Sequence, residues 1–175
     1  MNEVLKAIKE RRSIRKFKAD MPPKEDIEKI IEAGLYAASG KGKQAVKIIA
    51  ITNKECRDEL VKDNCRILNG KEGQDTFYGA PVILIALADK SWPTSFYDGC
   101  LVMGNMLLAA HSLGLGSIWI HRAKEEFEMD KYKEFLKKLG IEGEWEGIGH
   151  CCVGYIEGDA PKAADRKPDR VYWVK

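Results

Sequence analysis

The segment Arg11-Arg12-Ser13-Ile14-Arg15-Lys16-Phe17 gathers four cations and a hydroxyl, a set suited to an anion. Guanidinium groups are planar, permanently charged forks that pair with phosphate oxygens two at a time, and a serine hydroxyl adds a short hydrogen bond. The same charges also suit the end of a short helix, where cations complement the macrodipole by about 0.3–1 kcal/mol. Both readings are open at the level of these residues.

A second basic island, Arg166-Lys167-Pro168-Asp169-Arg170, follows about 150 residues later. It reads either as the far jaw of a phosphate clamp or as a solvated terminal linker. Between the islands, Ala38-Ser39-Gly40-Lys41-Gly42-Lys43-Gln44 offers donors from Ser39, Lys41 and Gln44 on a backbone whose glycines permit close approach. This stretch lacks P-loop spacing and precedes a strand rather than a helix, and Gly114-Leu115-Gly116 lacks the full dinucleotide fingerprint.

The three histidines, His111, His121 and His150, sit in unrelated contexts, and neither GxSxG nor HExxH occurs. The sequence therefore gives no support to a hydrolase triad or a zinc protease. Anion-binding residues without their own acid, base or nucleophile point to chemistry carried by a cofactor.

Composition narrows the partners. The 175 residues, 45% hydrophobic and 32% charged, suffice for one domain over 1–175 with a real core. A net charge of +2 leaves no broad basic face for nucleic acid. The most apolar stretch, Phe96 to Leu115, contains Asp98, Asn105 and His111 and reads as a buried helix rather than a membrane span. No secretory signal is visible at Met1-Asn2-Glu3. Five cysteines without CxxC spacing read as free thiols in a reducing cytoplasm, with no metal site.

The elements that must position these residues follow from periodicity. Asn2 caps a first helix with an apolar stripe of Val4, Leu5 and Ile8. A second helix follows Pro22-Pro23, with Ile27, Ile30, Ile31 and Leu35 on one face, and runs out at Tyr36 to Gly40. Strands are predicted at Val46 to Ile51, Val82 to Leu87, Ser117 to Ile120 and Gly147 to Tyr155. Helices are predicted at Lys54 to Asn69, from about Tyr97 to Leu113, and from Lys124 to Lys138. Strands separated by helices predict a three-layer architecture, with Cys151 and Cys152 on opposite faces of the last strand. The tail ends in Val171-Tyr172-Trp173-Val174, an apolar segment that needs a surface to cover, such as a partner subunit.

In order along the chain, five pieces resemble the FMN-dependent nitroreductase family: Arg11 to Phe17, Ala37 to Gln44, Tyr78-Gly79-Ala80-Pro81, Leu107 to Ser117, and Arg166-Lys167-Pro168. The resemblance implies an α+β fold, a three-layer sandwich whose central, mostly antiparallel sheet is flanked by helices. It implies an intertwined homodimer with FMN at the subunit interface and a tail, from about 157 to 175, that extends onto the partner. Arg11, Arg12 and Ser13 match ligands of the FMN phosphate and ribityl chain, and Arg15 the cation beside the flavin N1/O2 edge. Ser39 and Gln44 match contacts made from the partner subunit's side. Ile120, His121 and Arg122 match the turn whose backbone amides lie near flavin N5, and Arg166 and Lys167 complete the phosphate clamp. The implied activity is ping-pong transfer of hydride from NADH or NADPH to a small nitroaromatic or quinone acceptor. Dehalogenation or dehydrogenation on the same scaffold, and flavin binding without turnover, are the alternatives. The chain departs from the family at Gly42, at Gln44-Ala45-Val46, where relatives carry Gln-Pro-Trp, and at Arg122, where relatives often carry glycine.

Overall fold

Caps and breakers set the ends of the elements. The computed structural model describes residues 1–175 and orders them as α1 (Glu3–Glu10), α2 (Lys24–Leu35), β1 (Val46–Ile51), α3 (Lys54–Leu68), β2 (Val82–Asp89), α4 (Ser95–Ser112), β3 (Gly116–Ile120), α5 (Ala123–Glu128), α6 (Asp130–Lys138) and β4 (Trp145–Gly154). The Asn2 side chain accepts from the Leu5 amide and that of Asn53 from the Cys56 amide, each satisfying one orphan donor of a first turn. α3 stops where Asn69 turns left-handed at φ 55°.

The strands form one antiparallel sheet in the order β1-β2-β4-β3. β2 and β4 are central, and β2 is apolar along its length because both of its faces are covered. Ile83, Ile85 and Leu87 point to a core shared with Leu60 of α3, Phe127 of α5 and Leu136 of α6. Val82, Leu84 and Ala86 point the other way, onto Ile30 of α2 and Val102, Met103 and Met106 of α4. The period-2 alternation thus builds two cores on one sheet, giving helices, sheet and helices in three layers. Cys151 joins the second core and Cys152 the first, on opposite faces as the alternation predicts.

Three boundaries differ from the sequence expectation by about two residues, and one of them is the end of β2, which runs on to Asp89 rather than stopping at Leu87. α4 starts at Ser95 and β4 at Trp145, each about two residues early. The helix expected over Lys124 to Lys138 is two helices, broken at Met129 (φ −75°, ψ 140°). On an unbroken helix Phe127 and Tyr132 would face directions about 140° apart. The break lets both enter the same core, with ring centroids 5.3 Å apart.

α1 and the tail are the exceptions to this packing. No residue of α1 is buried, although Val4, Leu5 and Ile8 form a clear apolar stripe. From Glu157 onward every residue is exposed and no helix or strand forms. No helix of the chain is long and apolar enough to cross a membrane, and all five cysteines are unpaired.

Candidate functional site

The basic segment leaves α1 and is threaded onto the outer strand of the sheet. Ser13 bridges Ser117 of β3, and the Ile14 amide donates to the Ser117 carbonyl at 3.0 Å. The Lys18 amide donates to the Tyr155 carbonyl, and the Glu157 amide to that of Lys16. Ile14 and Phe17 are buried anchors, and Arg15 and Lys16 remain exposed between them. Glycine permits this fit: a Cβ on Gly116 would lie 3.0 Å from Ile14 Cγ1, and one on Gly154 3.1 Å from Phe17 Cδ1.

The two leading arginines behave differently from ordinary surface cations. Arg12 Nη1 donates to the carbonyls of Lys9 and Arg11, both at 2.6 Å, and so closes the end of α1. Arg12 Nε and Arg11 Nη1 are buried and have no hydrogen-bond partner. A buried charged donor without an acceptor costs on the order of 1–3 kcal/mol or more, so these two nitrogens want an oxygen. Arg11 is also felt by the fully buried Cys151 thiol, which burial pushes up to about 12 while the guanidinium charge pulls the other way.

The glycine-rich loop is organised by a buried carboxylate. Asp98, in the first turn of α4, accepts from the Gly40 amide at 3.1 Å, from Ser39 Oγ at 3.3 Å and from Thr94 Oγ1 at 3.4 Å. The helix N-terminus adds a favourable field for that charge. Ser39 Oγ in turn accepts from the Gln44 amide at 2.7 Å. Lys41 (φ 54°) and Gln44 (φ 51°) are left-handed, and the Gln44 side chain is exposed. Asp98 is a site residue that periodicity alone does not single out. Its signal is a lone carboxylate in the most apolar helix of the chain.

The turn after β3 is anchored from below. Ile120 is buried, His121 exposed, and Arg122 adopts φ 81°, a conformation uncommon outside glycine. Arg122 Nε donates to Asn64 Oδ1 at 3.1 Å, and Asn64 Nδ2 donates to the His121 carbonyl at 3.1 Å. Beneath them Glu126 and His150 form a fully buried pair at 2.6 Å. Asn64, Glu126 and His150 give no motif in the sequence, because they come together only through α3, α5 and β4.

The chain therefore brings Arg11, Arg12, Ser13 and Arg15 to the β3 edge, with the Ile120-His121-Arg122 turn at the other end of that strand. Ser117 and Ile120 are three residues apart, roughly 10 Å along an extended strand. Ser39 and Gln44 lie on a separate loop before β1. Arg166 and Lys167 are not brought to the cluster within one chain; Arg166 donates only to the Ala164 carbonyl nearby.

Residues 8–155 match the family model described as "Nitroreductase family". A crystal structure of a nitroreductase with bound FMN from Bacteroides fragilis covers all of both chains at 28% identity with a TM-score of 0.91. The FMN reductase [NAD(P)H] of Bacillus subtilis is 29% identical over 170 residues, 81% of this chain and 66% of that protein. A relative from Methanothermobacter thermautotrophicus is 35% identical over 121 residues, 67% of this chain and 60% of that protein. The chain thus spans less than two thirds of the length of these two curated relatives, while matching the Bacteroides structure end to end.

Proposed function

Because the chain belongs to the nitroreductase family, we propose that it is an FMN-dependent oxidoreductase that takes reducing equivalents from NADH or NADPH and delivers them to a small nitroaromatic or quinone acceptor. The observation that carries this reading is the pair of buried, unpartnered guanidinium nitrogens at Arg11 Nη1 and Arg12 Nε, next to the pinned Ser13. A phosphate oxygen is the acceptor their charge and geometry suit. The residues present fit the cofactor.

FMN would be held at its phosphate and ribityl chain by Arg11, Arg12 and Ser13. When bound, it supplies the hydride chemistry that no side chain of this site offers. Arg15, exposed and permanently charged, would supply a positive charge beside the flavin that favours its reduced state. Gln44 reaches from a second copy of the chain, and Ser39 acts by holding the loop that presents it. The Ile120-His121-Arg122 turn contributes backbone donors. Arg166 and Lys167 of the second copy close the phosphate clamp, which gives the exposed tail a task.

We read 1–175 as one FMN-binding domain whose tail, from about 157, crosses to the partner of a homodimer. The apolar stripe of α1 and the exposed Tyr172 and Trp173 support that assembly, since a stable chain rarely leaves such surfaces uncovered. Five free thiols support a reducing compartment, the cytoplasm.

The test is an absorbance spectrum of the purified protein without oxygen. We expect a yellow protein whose visible band bleaches on adding NADH or NADPH and returns on adding menadione or a nitrofuran. A colourless protein that cannot be reconstituted with FMN removes the reading. A yellow protein that neither nucleotide bleaches leaves flavin binding and removes the activity.

A further inference from the structure

A buried polar cluster lies under the β3 turn. Asn64, Glu126 and His150 are all fully buried, and they come from three separate elements. Every side-chain polar atom of the cluster has a defined partner. His150 Nδ1 faces the Ile120 carbonyl at 3.2 Å, and a carbonyl only accepts, so Nδ1 carries a hydrogen. His150 Nε2 and Glu126 Oε2, 2.6 Å apart, share one further proton, and the pair has no net charge whichever atom holds it. Asn64 Nδ2 donates to the His121 carbonyl at 3.1 Å and to Glu126 Oε1 at 2.7 Å, while Asn64 Oδ1 accepts from Arg122 Nε. These partners fix which end of the Asn64 amide is nitrogen.

The consequence lies in the backbone. In a planar trans peptide the N–H points opposite to the C=O. The Ile120 carbonyl is drawn inward by His150, so the His121 amide points outward. The His121 carbonyl is drawn inward by Asn64, so the Arg122 amide points outward as well. Neither amide donates to any carbonyl or side chain of the protein. Two consecutive donors are thus aimed away from the core, and Arg122 is held at φ 81° to do it. Holding a non-glycine residue there costs on the order of 1–3 kcal/mol, which persists only when the surroundings impose it.

We propose that Asn64, Glu126 and His150 are positioning residues for the reaction, holding the Ile120-His121-Arg122 turn so that its two free amides meet negative charge on the reacting edge of the flavin. This role rests on the FMN reading above. Preorganised donors of this kind favour the electron-rich state over the ground state and need no rearrangement as charge develops. The net neutrality of the Glu126–His150 pair keeps a buried negative charge from opposing them.

Asn64→Ala releases the His121 carbonyl and the Arg122 tether together. The expected result is hydride transfer from NADH at least about tenfold slower at saturating FMN, with the affinity for oxidised FMN changed by less than about threefold. The two-electron potential of the bound flavin falls by about 30 mV for each tenfold weakening of reduced over oxidised binding. A variant that melts earlier but keeps the potential and the hydride rate shows a purely structural cluster and overturns the proposal. A second measurement needs no variant. In 15N-labelled wild-type protein the His121 and Arg122 amide resonances should shift when FMN is added, and again when it is reduced. Shifts at Ser13 with none at His121 and Arg122 overturn the proposal. Wild-type protein that binds no FMN overturns the functional reading and this role together, whereas binding without these responses overturns the role alone.

Discussion

The segment Arg11 to Lys18 is held by backbone bonds to β3 and to the chain just after β4, whereas Arg166 to Arg170 touches little beyond itself. In the first, backbone bonds to Ser117, Tyr155 and Glu157 fix the path, and two buried anchors alternate with outward polar residues. In the second, every residue from Glu157 to the end is exposed and the one hydrogen bond of Arg166 is local. Similar compositions therefore have opposite physical meanings. The first island is held in place with two buried donors lacking acceptors. The second has no support within the single chain, and on the proposed dimer the exposed, apolar Val171 to Val174 beside it would be the part that a partner covers.

The largest expected effect breaks the second half of that comparison. Tyr172 and Trp173 are 84% and 82% exposed in the single chain, so they contribute nothing to its own core. Fully burying a large apolar side chain is worth about 1.5–3 kcal/mol, so losing both aromatics on both tails costs the dimer at least about 6 kcal/mol, more than about ten-thousandfold in its dissociation constant. The Tyr172→Ala, Trp173→Ala double variant should sediment as a monomer at concentrations where the wild type is a dimer. An unchanged dimer means that the tail does not cross.

Next in size is Arg11→Ala. Hydrogen bonds to charged groups contribute about 1.5–3 kcal/mol, so removing this guanidinium should weaken FMN binding by roughly 10- to 100-fold. Quenching of FMN fluorescence on titration measures it. The loss should occur with little change in melting temperature, because Arg11 Nη1 holds nothing in the chain itself. A variant that melts earlier and binds FMN normally would make the first island structural as well.

These two regions also show what the sequence made legible. The strands were legible as apolar, β-branched runs, and the opposite faces of Cys151 and Cys152 follow from the period-2 geometry of any strand, both of which are local. The break at Met129 was invisible, because it serves the joint burial of Phe127 and Tyr132, a tertiary demand on a segment that reads as one helix. The basic cluster, Ser39 and Gln44 were readable from their own residue types. Asp98 was readable only as an oddity in an apolar helix, though four hydrogen bonds from the loop and Thr94 converge on it. Asn64, Glu126 and His150 could not be read at all. Their partners lie 24 to 62 residues away, and no short-range pattern encodes such a meeting.

A smaller effect sharpens how the islands cooperate. If Arg166 reaches the phosphate from the second copy, Arg166→Ala should weaken FMN binding by about tenfold, the lower end of a charge-assisted hydrogen bond. The loss should appear only in the dimer. In the Tyr172→Ala, Trp173→Ala background it should vanish, because the tail that carries Arg166 is no longer docked. Additive losses in the triple variant would mean that Arg166 acts within its own chain.

The smallest effects separate the two exposed cations of the first island. Lys16 Nζ lies 3.2 Å from Glu157 Oε1, with the two side chains 70% and 47% exposed. An ion pair so open to water contributes about 0–1 kcal/mol, so Lys16→Ala should leave melting temperature and FMN affinity nearly unchanged. Arg15 is exposed as well, yet its assigned work is electronic rather than adhesive. Arg15→Ala should therefore also bind FMN almost normally, while stopped-flow reduction by NADH at saturating FMN slows by about tenfold. The two variants match in binding and differ in rate. If both reduce at the wild-type rate, Arg15 joins Lys16 as a solvated surface charge, and the flavin's charge is met at the His121 and Arg122 amides alone.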